Sequence, residues 1–407
     1  MKFNDWICIR RRMLLPLAAV AAAGVFGTGG ACFGSGGQKG VQVPDSYFVL
    51  AANKSDDTIT VFQVDQSTGA LTRLSTVATG HQPVDVAVPD TNNVMRVVYV
   101  LNAGDRTISE FQMFRNGLLQ PLSPATIPTG TDPVSFVRRN FTDVVSVVDR
   151  SSNTIARYLI QGNGQLAGDG LIATGPAPVA ATILSEELCE VNSTNDTLGE
   201  FVYTGDPPAP PKDPTATYPV GKGAAAIAWE QGPNLAGGLW VANSTAETIT
   251  SFPTTWNTAS IQPSRITGAG SSSSVPGHPV ALAADLDVGS HHGDRAVYAL
   301  TQEGQLLQYH LSGDDTGPAA AATAVATGPS PSALLPTATE LAKPFLYVAN
   351  SGDGTVWQYT LHNDFSAPTA TGTPTFSGKG VNALAFAITG AETSLPPGSG
   401  GISIPVK

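Results

Sequence analysis

Apolar residues along this chain fall in short runs that end at an Asn or Asp, give way to a polar turn, and resume after a Thr. The pattern reads VLAANKSDDTITVFQ (49–63), VYVLNAGDRTISEFQ (98–112), LWVANSTAETITSF (239–252) and LYVANSGDGTVWQY (346–359). Aligned on that polar residue, the phrase occurs seven times, at Asn53, Asn102, Asp149, Asn192, Asn243, Thr301 and Asn350, at intervals of 43 to 58 residues. Each copy predicts a β-hairpin. A strand ends at the Asn, whose side chain bonds its own backbone two residues on and tolerates left-handed geometry; Gly and Asp complete the turn and Thr opens the return strand. No segment holds a 3.6-residue period over a dozen residues, which argues against a helical solenoid.

A second phrase recurs between the first: a Gly-rich turn followed by small apolar residues, as in GHQPVDVAV (80–88), GTDPVSFV (130–137) and GKGVNALAFAI (378–388). Continuous apolar strands are buried on both faces. Their Ala and Val bias fits sheets that converge on a central axis, where only small side chains have room. An alternating third strand, TISEFQMF (107–114), and a Pro-punctuated outer strand, QPLSPATIP (120–128), complete each unit. Four antiparallel strands repeated seven times predict an all-β, seven-bladed β-propeller. The first phrase starts at a second strand and the last phrase is an inner strand. The N-terminal strand from Tyr47 is therefore expected to pair with 381–388 and close the ring.

The phrases YVLN (99–102), WVAN (240–243) and YVAN (347–350), with DRTI, AETI and DGTV, resemble the YVTN-type repeat proteins and the lactonase-like seven-bladed propellers. Members of those groups include 6-phosphogluconolactonase and carboxymuconate-cyclising enzymes. The resemblance covers nearly all of the chain beyond its N-terminal segment. It implies the fold strongly and an activity weakly, because the motif describes strands and turns.

The ends of the chain bear on its address. Residues 1–31 combine Arg10, Arg11 and Arg12, an apolar run from 13 to 26 and then small residues, the order of a secretory signal; the arginines also allow a twin-arginine reading. GGAC (29–32) resembles a lipobox with Gly29 in the apolar position, so Cys32 is the expected lipidation site, the alternative being a plain cleaved signal. A Gly/Ser tether (32–43) would precede the propeller (44–390), with a tail at 391–407 that is dispensable or lies along an outer surface. Loss of 1–31 leaves 17 basic against 31 acidic residues, a net charge of −14, which disfavours nucleic acid as a partner. Cys189 is expected as a small buried hydrophobe.

Chemistry is sought where repeats differ on a constant scaffold. Just before the inner strands stand His81, Asp132, Lys222, His278 and Lys379, around one channel mouth. Such a set suits a small anionic or hydroxylated ligand. For lactone opening, His81 or His278 would be the base, and Lys222, Lys379 or Arg106 the cation beside the oxyanion. The plainer reading is that turns of this kind expose polar residues anyway. A second cluster, Asp285, Asp287, His291, His292 and Asp294, offers metal ligands, but its spacing fits neither an EF-hand nor a zinc pattern and a solvated loop on the opposite face is the better reading. SSSS (271–274) and AAAAT (319–323) read as outer-loop filler. The expectation is a monomeric, exported, lipid-anchored propeller without a cofactor, acting as a ligand- or protein-binding scaffold at the cell envelope. The alternative is a hydrolase opening a sugar-acid or related lactone.

Overall fold

The computed structural model describes residues 46–89, 96–138, 143–184, 187–202, 213–231, 236–257, 262–286, 295–311, 324–337, 341, 343–362 and 364–389. They form strands and turns arranged as seven antiparallel sheets, with no helix among the described residues.

The first blade is built from β1 (Ser46–Asn53), β2 (Thr58–Val64) and β3 (Leu71–Ala78). The second contains β4 (Pro83–Ala87), β5 (Arg96–Asn102), β6 (Thr107–Met113) and β7 (Leu119–Pro128), and the third β8 (Pro133–Arg138), β9 (Val144–Asp149), β10 (Thr154–Ile160) and β11 (Leu166–Ala173). The fourth holds β12 (Pro178–Leu184), β13 (Glu187–Asn192), β14 (Thr197–Val202) and β15 (Ala216–Pro219). In the fifth, β16 (Ala224–Gln231), β17 (Ala236–Asn243) and β18 (Thr248–Asn257) are followed by an outer strand in two pieces, β19 (Gln262–Ile266) and β20 (Ser271–Ser274), which share one edge of β18. SSSS is thus a strand and not loop filler: Ser272 bonds Thr250 through its hydroxyl at 2.8 Å. The sixth comprises β21 (Pro279–Leu286), β22 (Arg295–Thr301), β23 (Gln305–Leu311) and a short β24 (Val325–Ala326), and the seventh β25 (Pro331–Pro336), β26 (Phe345–Asn350), β27 (Thr355–Thr360) and β28 (Thr369–Phe376). The last strand, β29 (Val381–Thr389), returns to the first blade and pairs along the whole of β1, with Leu384 opposite Ala51. The expected closure is present.

The two recurring phrases meet in space. A Cβ on Gly80 would collide with Asn102, one on Gly328 with Asn350, and one on Gly378 with Asn53, so the glycine before each inner strand makes room for the anchor side chain of its own blade. The sixth repeat has neither: Pro276 stands in the glycine's place where Thr301 replaces the Asn.

The anchors work differently from the sequence expectation. Asn53 sits in extended strand and donates its amide across the hairpin to the hydroxyls of Thr58 (3.1 Å) and Thr60 (3.0 Å); Asn102 and Asn243 repeat this with Thr107 and Ser109, and Thr248 and Thr250. Left-handed backbone occurs four residues later, at Asp57, Arg106, Asn153, Asp196 and Glu247, with φ between 50° and 59°; Gly354 holds the same place in the seventh blade, and in the sixth, whose loop is one residue shorter, Gly304 stands three residues after Thr301. The reason is loop length. Asn53 pairs with Thr58, leaving a four-residue loop whose final residue must turn the chain back into register.

The third strands are also more buried than an alternating pattern implies. Ser109 and Glu110 are both buried, because each sheet is packed by a neighbouring blade on either face. Every third strand places an aromatic ring at one position, Phe62, Phe111, Tyr158, Phe201, Phe252, Tyr309 or Tyr359, and all are buried. Burial of each such ring contributes roughly 2–3 kcal/mol. Cys189 is fully buried with a free thiol, as expected of a small hydrophobe.

Candidate functional site

Because all inner strands run the same way, the loops that lead into them and the hairpins between second and third strands share one face. Each inner strand begins with a β-bulge, and the extra residues are Val84, Val134, Val179, Ala225, Val280, Ser332 and Asn382. Bulges re-aim side chains at the rims of closed sheets. Five of these residues are apolar; the two polar ones sit in adjacent blades. Ser332 donates its hydroxyl to the carbonyl of Val381 at 2.7 Å, and Asn382, with its amide oriented to satisfy both ends, donates to Ala52 and Pro83 at 3.2 and 3.1 Å. This polar side of the ring spans blades seven, one and two.

The same face is stitched between blades. The left-handed hairpin residue of one blade accepts a backbone N–H from the loop of the next: Asp57 Oδ1 from Gln82 (2.8 Å), Asn153 Oδ1 from Ala177 (2.8 Å) and Asp196 Oδ1 from Gly223 (2.9 Å). His81 belongs to this arrangement. Its Nδ1 lies 2.7 Å from Asp57 Oδ2, its backbone N–H donates to Asp105 Oδ2 at 2.7 Å, and its side chain is 71% exposed. The Asp57 hydrogen bond, then the charges of Asp105 and Asp57, raise its pKa above the ordinary 6.5. Asp57 is lowered in turn, by the Gln82 N–H first and His81 second. Nε2 of His81 has no partner among the described residues.

His278 is held otherwise. Its Nδ1 bonds Glu303 Oε1 at 2.5 Å while Nε2 faces Glu247 Oε1 at 3.5 Å, so both ring nitrogens are committed to carboxylates. Its pKa is raised, chiefly by the Glu303 bond. Desolvation is the largest single influence on Glu303 and acts to raise it, but the hydrogen bonds from His278 and neighbouring groups outweigh it and bring the pKa down to about 2. A doubly paired imidazolium is a poor base.

Asp132 is likewise occupied. Arg150 clasps it through Nε (2.7 Å) and Nη2 (3.3 Å), and Ser151 donates to it at 3.1 Å. Lys222, Lys379 and Arg106 are exposed, and none of the three forms an ion pair among the described residues. Lys379 leads into the first blade and His81 into the second, so an ammonium and an imidazole stand in adjacent loops. Lys222 and His278 form a comparable neighbouring pair at blades five and six. The two histidines are not brought together.

The carboxylates that define both histidine sites, Asp57, Asp105, Glu247 and Glu303, were not legible as site residues. A signal existed for two of them: Asp57 and Glu247 occupy the residue before Thr in DTI and ETI, the place that reaches the next blade. Of the second cluster, Asp287, His291, His292 and Asp294 lie outside the described residues, and Asp285 is in β21, at the end opposite the histidine face. Among the described residues no group of three metal-ligating side chains is present. Cys32 and the 391–407 tail also lie outside the described residues.

Comparison with known proteins agrees with this architecture. The lactonase family of seven-bladed β-propellers matches residues 40–125. No curated protein matches the chain. Among solved structures, the chain is similar to a candidate 6-phosphogluconolactonase from Bacteroides fragilis (TM-score 0.68, 15% identity, covering 84% of this chain and 98% of that one). A second, from Bacteroides uniformis, gives 0.67 at 16% identity over 84% and 100%. The periplasmic gluconolactonase PpgL of Pseudomonas aeruginosa gives 0.60 at 14% identity over 84% and 99%. The chain shares the seven-bladed propeller fold of these proteins, as its repeats imply.

Proposed function

We propose that this propeller hydrolyses a sugar-acid or related lactone at the loop face between blades one and two. The carrying observation is the His81–Asp57 pair at 2.7 Å, which orients the imidazole and leaves Nε2 for a substrate water, within the stretch that the lactonase family matches. In this reading Nε2 of His81 removes a proton from water as its oxygen adds to the lactone carbonyl carbon. The tetrahedral oxyanion meets the positive charge of Lys379 or Arg106. Collapse breaks the ring C–O bond, and the leaving alkoxide takes the proton from the imidazolium, giving the hydroxy acid and restoring the base.

The test is hydrolysis of a panel of aldonic-acid lactones, corrected for spontaneous opening, by wild type, His81→Ala and Asp57→Asn proteins. A loss on the order of 100-fold in His81→Ala is expected. Wild-type rates no faster than background would overturn the reading.

One observation favours a second reading. His81 is 71% exposed on an open face, whereas catalytic pockets exclude water. A site of this openness suits reversible capture of an anionic or hydroxylated small molecule, or of an envelope protein. Binding of a hydroxy acid without turnover would select it. Export and lipidation at Cys32 complete the proposal. They are supported by the basic and apolar N-terminal segment and by the periplasmic neighbour, and labelling with a fatty-acid analogue that persists in Cys32→Ala would refute the anchor.

A further inference from the structure

A groove of about 630 Å³ lies at the junction of blades two and three, away from the histidine loops. Its origin is local. Between Ser109 and Phe111 the pairing of β6 with β7 loses register, Ser109 facing Thr126 and Phe111 facing Pro121, so β7 lifts away opposite Glu110. The 161–165 turn of the third blade folds over the opening.

Glu110 is 1% exposed and lines this groove. Its Oε1 accepts the backbone N–H of Leu166 at 2.8 Å, tying the two blades together, while Oε2 has no partner among the described residues. Burial raises its pKa, with only partial relief from the Leu166 N–H. A neutral carboxyl there both donates and accepts hydrogen bonds.

The fourth blade shows what completes such a carboxyl. Glu200 occupies the same position in β14 that Glu110 occupies in β6, and its Oε1 accepts the N–H of Ile266 in the next blade at 3.1 Å. Its Oε2, however, accepts the hydroxyl of Tyr218 at 3.1 Å. Tyr218 faces Leu198 across the sheet; the residue facing the corresponding Ile108 is Ile127. Blade two therefore keeps the buried acid and the link between blades but lacks the hydroxyl.

We propose that the groove binds a neutral, hydroxyl-bearing ring, of the saccharide class, with one ligand hydroxyl at Glu110 Oε2 where blade four has its tyrosine. The rest of the lining fits. Gln161, Asn163 and Gln165 line it with amides; Asn163 Nδ2 already donates to Gln165 Oε1 at 2.7 Å and Gln165 Nε2 to the Pro124 carbonyl at 3.4 Å, yet each NH2 keeps a second N–H for a ligand hydroxyl, and Pro124, Ile127 and Pro128 offer apolar surface for the ring's C–H face. No Lys, Arg or His lines the groove, so an anionic ligand finds no countercharge. The site is independent of lactone hydrolysis and on different elements.

The test uses the whole protein with maltose, cellobiose and N,N′-diacetylchitobiose as probes, followed through backbone amide shifts in NMR. At least one is expected to perturb Leu166 and Gly162 with a Kd on the order of 1 mM. Ile127→Tyr should supply the missing hydroxyl, fill the groove and weaken binding by at least about tenfold, without changing any rate at the histidine face. Gln161→Ala, an exposed change that leaves the backbone undisturbed, should weaken binding by roughly threefold to tenfold. No shift at those amides with any probe at tens of millimolar (roughly, the scale of weak sugar binding) overturns the proposal. So does wild-type affinity in folded Ile127→Tyr or, should that variant not fold, in Gln161→Ala.

Discussion

His81 and Asp57 belong to different blades, yet the imidazole Nδ1 of the first lies 2.7 Å from a carboxylate oxygen of the second. The contact raises the histidine's pKa above 6.5. The basic form needed for proton abstraction therefore appears only as pH rises through that raised value. An NMR titration should place the His81 midpoint above 6.5 in wild type and closer to it in Asp57→Asn. If lactone hydrolysis is observed, kcat/KM should climb through the same midpoint and shift with it. An unchanged midpoint in Asp57→Asn would remove the pairing as its cause.

Gly378 and Asn53 provide a test of ring closure. A Cβ on Gly378 would lie 2.5 Å from Cγ of Asn53, whose Oδ1 also accepts the Ser377 hydroxyl at 2.7 Å. Gly378→Ala should lower stability by about 1–3 kcal/mol. Gly168→Ala, where an added methyl meets nothing within 4 Å, should stay within about 0.5 kcal/mol. Denaturant midpoints at constant m-value distinguish the two.

Tyrosines lock blades together away from the histidine face. Tyr99 donates its hydroxyl to the carbonyl of Gly164 at 2.6 Å and Tyr347 to that of Gly69 at 2.7 Å, each in the following blade. Both side chains are buried, and burial raises both phenols well above the usual value of 10. Tyr99→Phe and Tyr347→Phe should each cost about 1–2 kcal/mol by orphaning a carbonyl. The pairs sit in separate parts of the ring, so the double variant should be additive within about 0.5 kcal/mol.

The His278–Glu303 pair predicts a pH window. Glu303, depressed to about 2, contributes stability that is complete above its ordinary 4.5 and fades as pH falls towards 2. His278, raised, contributes stability that is complete below 6.5 and fades as pH rises through its higher folded value. The contribution is therefore greatest between 4.5 and 6.5. Thermal unfolding of wild type and His278→Gln should differ most in that interval and converge outside it, with the gap narrowing in high salt because the pair is exposed.

Blade count and closure were readable because they follow from periodic features, an Asn, Asp149 or Thr301 at the end of each second strand and a Gly before six of the seven inner ones; the split outer strand of blade five was not, because SSSS reads as loop filler. The reason those two residues recur together was not readable, since it depends on Gly80 lying against Asn102 in space. The same limit hid the site. His81 stood out as a histidine in a turn, but its partner Asp57 is 24 residues away and looks like ordinary turn chemistry. Glu110 was hidden more deeply. In TISEFQMF it reads as the solvent-facing half of an alternating strand, and only the stacking of blade three over it makes it a buried acid.

The pairing of β1 with β29 also orders events during synthesis. Among the described strands the first to leave the ribosome is completed by the last, so the early blade must persist with an unsatisfied edge while more than three hundred residues follow (roughly, the 328 positions from Asn53 to Val381). A nascent chain arrested anywhere before Val381 would present that edge to whatever strand it met first. The hazard lasts as long as translation does, and a helper that shields a single β-edge would suffice to remove it.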